Sequence, residues 1–278
     1  MDPFTKARSA ADRLIAGLGS APVVMGILNV TPDSFSDGGR FVAAEAALAH
    51  ADALVAAGAG VIDIGAESTR PGFTPVDEAE EWARLEPVLA PLLARAAAPV
   101  SVDTTKAAVA RSAALLGAAM INDVSGLRAD PAMADVAAES GAALVVMHHC
   151  AEVDSTRDIV ADMFGFFDET LDMAKKAGVA REKIVLDPGV GFGKSLRQNL
   201  QAIDACGALH QEYGLPVLIG ASRKRFIGDL TGAPVADRLA GTLSAHLRAF
   251  SRGATVFRVH DVAEHVGALK IWSEIERA

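Results

Sequence analysis

Eight short apolar runs, each four to six residues long and most of them rich in Val and Ile, recur along the chain. They are VVMGIL (23–28), VIDI (61–64), VSVD (100–103), AAMIN (118–122), LVVM (144–147), IVLD (184–187), VLIG (217–220) and TVFRV (255–259). Continuous apolar character over so few residues marks strands buried on both faces, the environment of a parallel sheet covered by helices. Ala-rich amphipathic stretches with few breakers lie between and after them, at 42–57, 77–95, 105–116, 131–140, 157–177, 197–213, 235–252 and 262–276. Their composition predicts helices. Eight strands alternating with eight helices predict an α/β chain folded as a (β/α)8 TIM barrel. The competing architecture, a doubly wound open sheet, usually has fewer strands and a Gly-rich first turn.

A single domain is expected to occupy residues 21–278, preceded by an N-terminal lead-in over residues 1–20 that reads as a weak helix. At 278 residues, with 51% hydrophobic and few aromatic residues, the chain suits one barrel with tightly packed helices. A formal net charge of −9 and a pI near 5.3 argue against a nucleic-acid partner, since no basic stripe is present to displace phosphate counterions. Cys150 and Cys206 make no disulfide framework. Arg8, Asp12 and Arg13 interrupt any signal-peptide core, and no run approaches a membrane span. The expectation is a soluble, cytoplasmic protein with no membrane partner.

Nearly every strand ends in a residue able to do chemistry: Asn29, Asp63, Asp103, Asn122, His148, Asp187, Ser222 and Arg258. Any one of them could cap a helix. Caps alone do not explain Asp and Asn at the last strand residue rather than one step before the helix. Active sites of such barrels sit at the C-terminal strand ends, so these residues are expected to share one mouth. After the seventh run come Ser222 and three consecutive cations, Arg223, Lys224 and Arg225. In an acidic chain that triplet is either a solvated surface or the binding place of something anionic or rich in carbonyls.

Three familiar motifs fail. DPGVGFGKS (187–195) has Pro188 where a P-loop needs Gly, and Lys194 where a dinucleotide fingerprint needs its third Gly. What remains is a Gly-rich loop whose backbone can approach a ligand, with Phe192 as its one large side chain. MHHC (147–150) lacks the paired spacing of a zinc site, which favours a loop histidine pair beside a packed thiol. No Gly-x-Ser-x-Gly elbow is present to anchor a hydrolase triad.

Two long loops, GILNVTPDSFSDGGRF (26–41) and GAESTRPGFTP (65–75), have the composition of segments that fold over a ligand. Together with SVDTTK (101–106), INDVSG (121–126), LDPGVGFGKS (186–195), GASRKRFIG (220–228) and FRVHDV (257–262), they resemble the dihydropteroate synthase family. The resemblance spans about Val24 to Val262, with seven motifs in the family's order. It implies a folate-pathway transferase that joins 7,8-dihydropterin-6-ylmethyl diphosphate to 4-aminobenzoate, with Mg2+, and forms a homodimer. Sulfonamides, which resemble aminobenzoate, are expected to compete at the same pocket.

A pterin edge presents an amino group and a ring N–H, a donor pair that carboxylates accept well. Asp103 and Asp187 suit that role, Asn122 a neighbouring ring nitrogen, and Lys224 the ring carbonyl or N5. In the family these four positions line the pterin pocket. The resemblance assigns Arg258 and His260 to the diphosphate, with Arg258 also flanking the pterin, and makes Lys224, Arg258 and His260 the catalytic group. Asn29 resembles the family's magnesium contact, and Thr69 and Arg70 are further substrate contacts. For aminobenzoate, Ser222 and the helix opened at 222–225 are expected to hold the carboxylate. Thr69 contributes there too, and Pro71 and Phe192 wall the benzene ring. Of Arg223 and Arg225, one assists binding and the other is solvated.

Two positions depart from the family. Ala66 replaces a usual Gly and restricts the second loop, and HHCAE (148–152) replaces a Met-His-x-x-Gly stretch, leaving His148 without a role. The rival readings are a pterin-dependent methyltransferase, a non-catalytic pterin-binding paralogue and an unrelated phosphate-binding barrel. The methyltransferase does not need Asn29, Thr69 to Gly72, or the Arg258/His260 pair. The paralogue should have lost loop or anion residues, and the unrelated barrel does not explain Asp103, Asn122 and Asp187 together.

Overall fold

All eight apolar runs become parallel strands. The computed structural model of the chain describes residues 2–19, 21–30, 39–67 and 76–278. In order, the elements are α1 (Thr5–Gly17), β1 (Val23–Asn29), α2 (Gly39–Ala56), β2 (Val61–Gly65), α3 (Glu78–Arg95), β3 (Val100–Asp103) and α4 (Ala107–Leu116). There follow β4 (Met120–Asp123), α5 (Met133–Ser140), β5 (Ala143–Met147), α6 (Ile159–Ala177), β6 (Ile184–Asp187), α7 (Leu196–Asp204) and α8 (Cys206–Tyr213). The chain ends with β7 (Leu218–Ile219), α9 (Arg225–Thr231), α10 (Leu239–Ser251), β8 (Val256–Val259) and α11 (Val262–Arg277). The strand order is β6-β5-β4-β3-β2-β1-β8-β7, and a parallel bridge between Leu186 and Val217 joins the two ends into a (β/α)8 barrel.

Strand periodicity sorts the side chains into two layers. Along β2, Ile62 and Ile64 pack outward into the large core between sheet and helices, whereas Val61 joins an inner cluster. That inner cluster draws on seven strands, with Met25, Val61, Met120, Val145, Val185, Leu218 and Val256 among its members. Two residues further along β2, β4, β6 and β8, on the same inward side, come Asp63, Asn122, Asp187 and Arg258. The barrel interior is therefore greasy at the N-terminal end and polar at the C-terminal end. The segment preceding β1 folds as α1, whose Ala11 and Leu14 pack onto the inner cluster and close the greasy end.

The seventh unit departs from the sequence reading. Pro216 and Gly220 bracket β7, which pairs with β8 through Leu218 and Ile219 alone. The helical stretch expected at 197–213 splits at Ala205 into α7, opened by a Ser195/Gln198 capping box, and α8. The helix after the basic triplet is a separate seven-residue element, α9, ahead of α10.

Candidate active site

The inward polar residues are bonded to one another across the mouth. Arg258 Nε donates to Asp63 Oδ2 at 2.6 Å, and Arg258 Nη2 donates to Asp103 Oδ2 at 2.7 Å. Asn122 Nδ2 donates to the same Asp63 oxygen at 3.1 Å. Register explains the meeting: Asp103 lies opposite Asn122 in the β3–β4 ladder, and Arg258 opposite Met25 in the β1–β8 ladder. Asp63 is fully buried, and its Oδ1 has no partner among the described residues. Asp63 was visible as a polar strand end but received no role from the sequence. The signal was a carboxylate set within the apolar run VIDI.

Burial favours the neutral form of ionisable groups, and it shifts three of those at the mouth. Burial pushes Asp103 up to about 7, against the pull of Arg258 and with the push of Asp63, Glu81 and Asp123. Burial also raises Asp187, with Lys224 the main opposing charge. Lys224 moves the other way, down to about 7, because burial outweighs the attraction of Asp187. Near neutral pH this mouth is poised to exchange protons with a ligand that brings donors and acceptors.

The loop after β6 forms one wall. Gly189 N donates to Asp187 Oδ1 at 2.7 Å, fixing the carboxylate. Gly189 (φ +66°) and Gly193 (φ +63°) adopt left-handed conformations, and a Cβ there would lie 1.7 Å from His148 O and 2.0 Å from Cys150 O, respectively. The glycines of DPGVGFGKS thus let this loop lie backbone to backbone on the segment after β5. Lys194, buried, locks the arrangement by donating to Gly189 O at 2.8 Å and to His148 O and Phe192 O at 3.3 Å. Phe192 lies beneath the Lys224 ammonium, 4.5 Å from ring centroid to Nζ, and Lys224 Nζ also donates to Val190 O.

Ser222 and His260 meet, Oγ to Nδ1, at 2.9 Å, and His260 N donates to Ser222 Oγ at 3.2 Å. The basic triplet divides three ways. Lys224 enters the mouth. Arg223, at φ 58°, forks onto Asp261 and ties the β7 loop to the β8 loop. Arg225, 91% exposed at its side chain, pairs at 3.5 Å with Asp229 on α9. The helix expected to open at 222–225 is α9, seven residues long, which begins at Arg225 with Lys224 as an N-cap whose side chain makes no capping bond.

Asn29 ends β1 with an exposed side chain. Thr69, Arg70 and Pro71 lie outside the described residues. The base of their loop is anchored: Lys106 Nζ donates to Glu67 Oε2 and Glu81 Oε2, each at 2.6 Å, and Glu67 Oε1 accepts from Val76 N at 3.0 Å. Ala66 is fully buried in the main core, and its carbonyl accepts from Arg84 at 3.2 Å. His148 does not join the mouth. Its Nε2 donates to Asp162 Oδ2 on α6 at 2.9 Å, and its ring stacks edge-on against Phe166. Burial lowers His148 to about 4, so the ring is neutral at physiological pH.

A barrel whose C-terminal mouth carries paired carboxylates, an amide and buried cations is built for a polar heterocycle with an anionic appendage. The chain belongs to the family of pterin-binding enzymes, whose model matches residues 25–260. It is 44% identical over 242 residues to the dihydropteroate synthase of Bacillus subtilis, covering 87% of this chain and 84% of that protein. The dihydropteroate synthase of Clostridium difficile, solved in the presence of pteroic acid, superposes with a TM-score of 0.91 at 43% identity, over 94% of this chain and 99% of that one. The Xanthomonas albilineans dihydropteroate synthase, solved with 4-aminobenzoic acid, gives a TM-score of 0.89 at 46% identity, over 93% and 94%.

Proposed function

We propose that this chain is a dihydropteroate synthase, a transferase that joins 7,8-dihydropterin-6-ylmethyl diphosphate to 4-aminobenzoate and releases diphosphate. The observation that carries the reading is the bonded array of Asp63, Asp103, Asn122 and Arg258 at the C-terminal mouth, beside Asp187 and Lys224. Identity above 40% to synthases across nearly the whole chain supports it. Of the ligands of the two solved relatives, 4-aminobenzoic acid is a substrate of this condensation and pteroic acid is the oxidised form of its product.

In this reading Asp103 and Asp187 each commit one oxygen to the protein, to Arg258 and to Gly189 N, and offer the other to the pterin donors. Asn122 meets a ring nitrogen and Lys224 the ring carbonyl or N5. Lys224 then trades its bond to Val190 O for one to the ligand. Arg258, with Nε and Nη2 held by the two carboxylates, turns Nη1 toward the diphosphate. His260 donates to the same group, and Ser222 at its side meets the aminobenzoate carboxylate. Thr69 and Arg70 add substrate contacts, and Phe192 and Pro71 wall the benzene ring.

As the C–O bond to diphosphate lengthens, positive charge develops on the methylene and spreads into the reduced pterin. Arg258 and His260 stabilise the departing anion. The arylamine is neutral at pH 7, so its nitrogen attacks without a strong base and loses its proton afterwards. The two loops exclude water from the cationic centre. Magnesium fits a mouth whose exposed Asn29 offers one neutral oxygen, since this cation keeps waters and leans on substrate phosphates. Bound there with substrate, it would neutralise charge on the diphosphate. A homodimer, cytoplasmic residence and competition by sulfonamides complete the proposal. No helix among the described residues is long and apolar enough to cross a membrane.

Chromatographic analysis of purified protein incubated with both substrates and Mg2+ tests the reading. Dihydropteroate is the expected product, with a loss of at least a hundredfold in Lys224→Met. Bound pterin without product would favour a non-catalytic paralogue and overturn it.

A further inference from the structure

One cluster outside the mouth has metal-binding chemistry. His148, Cys150 and Asp162 bring a nitrogen, a sulfur and an oxygen within 4.8 Å of one another. His148 Nε2 is 2.9 Å from Asp162 Oδ2, and Cys150 Sγ is 3.7 Å from the same oxygen. Bond lengths of about 2.0–2.3 Å around a tetrahedral zinc put neighbouring donors roughly 3.3–3.6 Å apart. The sulfur–oxygen pair is already near that separation, and the nitrogen–oxygen pair must open by a few tenths of an ångström.

We propose that His148 Nε2, Cys150 Sγ and Asp162 Oδ2 form a binding site for one zinc-class divalent ion, separate from the catalytic mouth. Three protein ligands and one open position are a common arrangement for this ion. Asp162 is 35% exposed at its side chain, so water can reach the fourth position. The mixed donor set excludes a hard cation such as magnesium, which takes oxygen ligands. On binding, the Cys150 thiol proton passes to solvent, and His148 gives up the Nε2 proton it shares with Asp162 and takes one at Nδ1, which has no partner among the described residues.

Two cations compete with the ion. Arg157 Nη1 lies 3.5 Å from Asp162 Oδ2 and must swing away, which its half-buried position permits. Lys194 stays, held by the carbonyls of His148, Gly189 and Phe192, and limits the affinity. The third ligand explains why sequence spacing argued against zinc. It arrives from the first turn of α6, twelve residues beyond Cys150. Occupancy would cross-link the segment after β5 to α6. Through Cys150 N and Phe192 O, 3.4 Å apart, it would also brace the loop that carries Phe192.

The test is a Co2+ titration of the substrate-free protein, read in the thiolate-to-cobalt charge-transfer band. One equivalent is expected to bind with that band, to be displaced by Zn2+, and to protect Cys150 from alkylation. Cys206 is fully buried and its thiol is pushed far up, so it serves as an inert internal control. Cys150→Ser and Asp162→Asn are expected to abolish the band, whereas Arg157→Ala is expected to tighten binding severalfold. Absence of the band in the wild-type protein overturns the proposal whether or not the variants fold. So does a band that survives Asp162→Asn, or one that weakens in Arg157→Ala. None of these readouts depends on the activity proposed above.

Discussion

Replacing Asp63 by Asn keeps the shape of the side chain and removes its charge. The carboxylate is fully buried and takes Arg258 Nε at 2.6 Å and Asn122 Nδ2 at 3.1 Å on one oxygen. If the amide oxygen keeps that place, both bonds survive, but the Arg258 bond loses its ionic acceptor, worth about 1 kcal/mol. The new NH2 group then falls where Oδ1 has no partner among the described residues, a buried donor costing about 1–3 kcal/mol. The expected loss is therefore about 2–4 kcal/mol. That lies around or below the roughly 3–5 kcal/mol for removing one partner of a buried pair, because Asp103 still faces Arg258. Urea unfolding of the wild type and the variant measures it. A loss below about 0.5 kcal/mol, the ordinary size of a surface substitution, would refute the cross-barrel array as a structural fixture.

Other outcomes follow from the same geometry. Asp103 holds its proton up to about 7, and Lys224 loses its own near the same value. Pterin affinity should therefore fall above that range as Lys224 is neutralised, and rise toward it from the acid side as the Asp103 carboxylate ionises. Asp103→Asn should bind pterin more weakly and lose the acid limb in calorimetric titrations, whereas wild-type affinity at every pH would remove Asp103 from the pocket. Lys106→Met strands Glu81, buried, and Glu67 beside it, so thermal unfolding should show a loss of about 3 kcal/mol or more. An unchanged midpoint would show that the two carboxylates do not depend on the ammonium.

The barrel was legible because its strands are buried on both faces and its helices are Ala-rich, which makes element type plain even when ends are blurred. The seventh unit was least legible: with Pro216 and Gly220 around it, β7 keeps two residues, and the break at Ala205 is marked only by Gly207, a single glycine of the kind helices tolerate. The polar mouth was legible through strand ends, since an Asp or Asn at the end of an apolar run has few other reasons to be there. What the sequence hid were relations between distant residues. Asp63 matters because Arg258, 195 residues away, reaches it. The glycines of DPGVGFGKS resembled a phosphate loop, and their tight packing on His148 and Cys150 appears only in three dimensions. Ser222 and His260, read as contacts for different substrates, proved to be hydrogen-bonded neighbours. Arg223, read as either a ligand contact or a solvated surface cation, is a strut to Asp261.

Synthase activity is tested most directly by diphosphate release from dihydropterin-methyl diphosphate by the purified protein with Mg2+, measured with and without 4-aminobenzoate. Release is expected to depend on the arylamine and to match dihydropteroate formation one for one. Release that ignores 4-aminobenzoate, or a pterin that binds and never reacts, would contradict that activity.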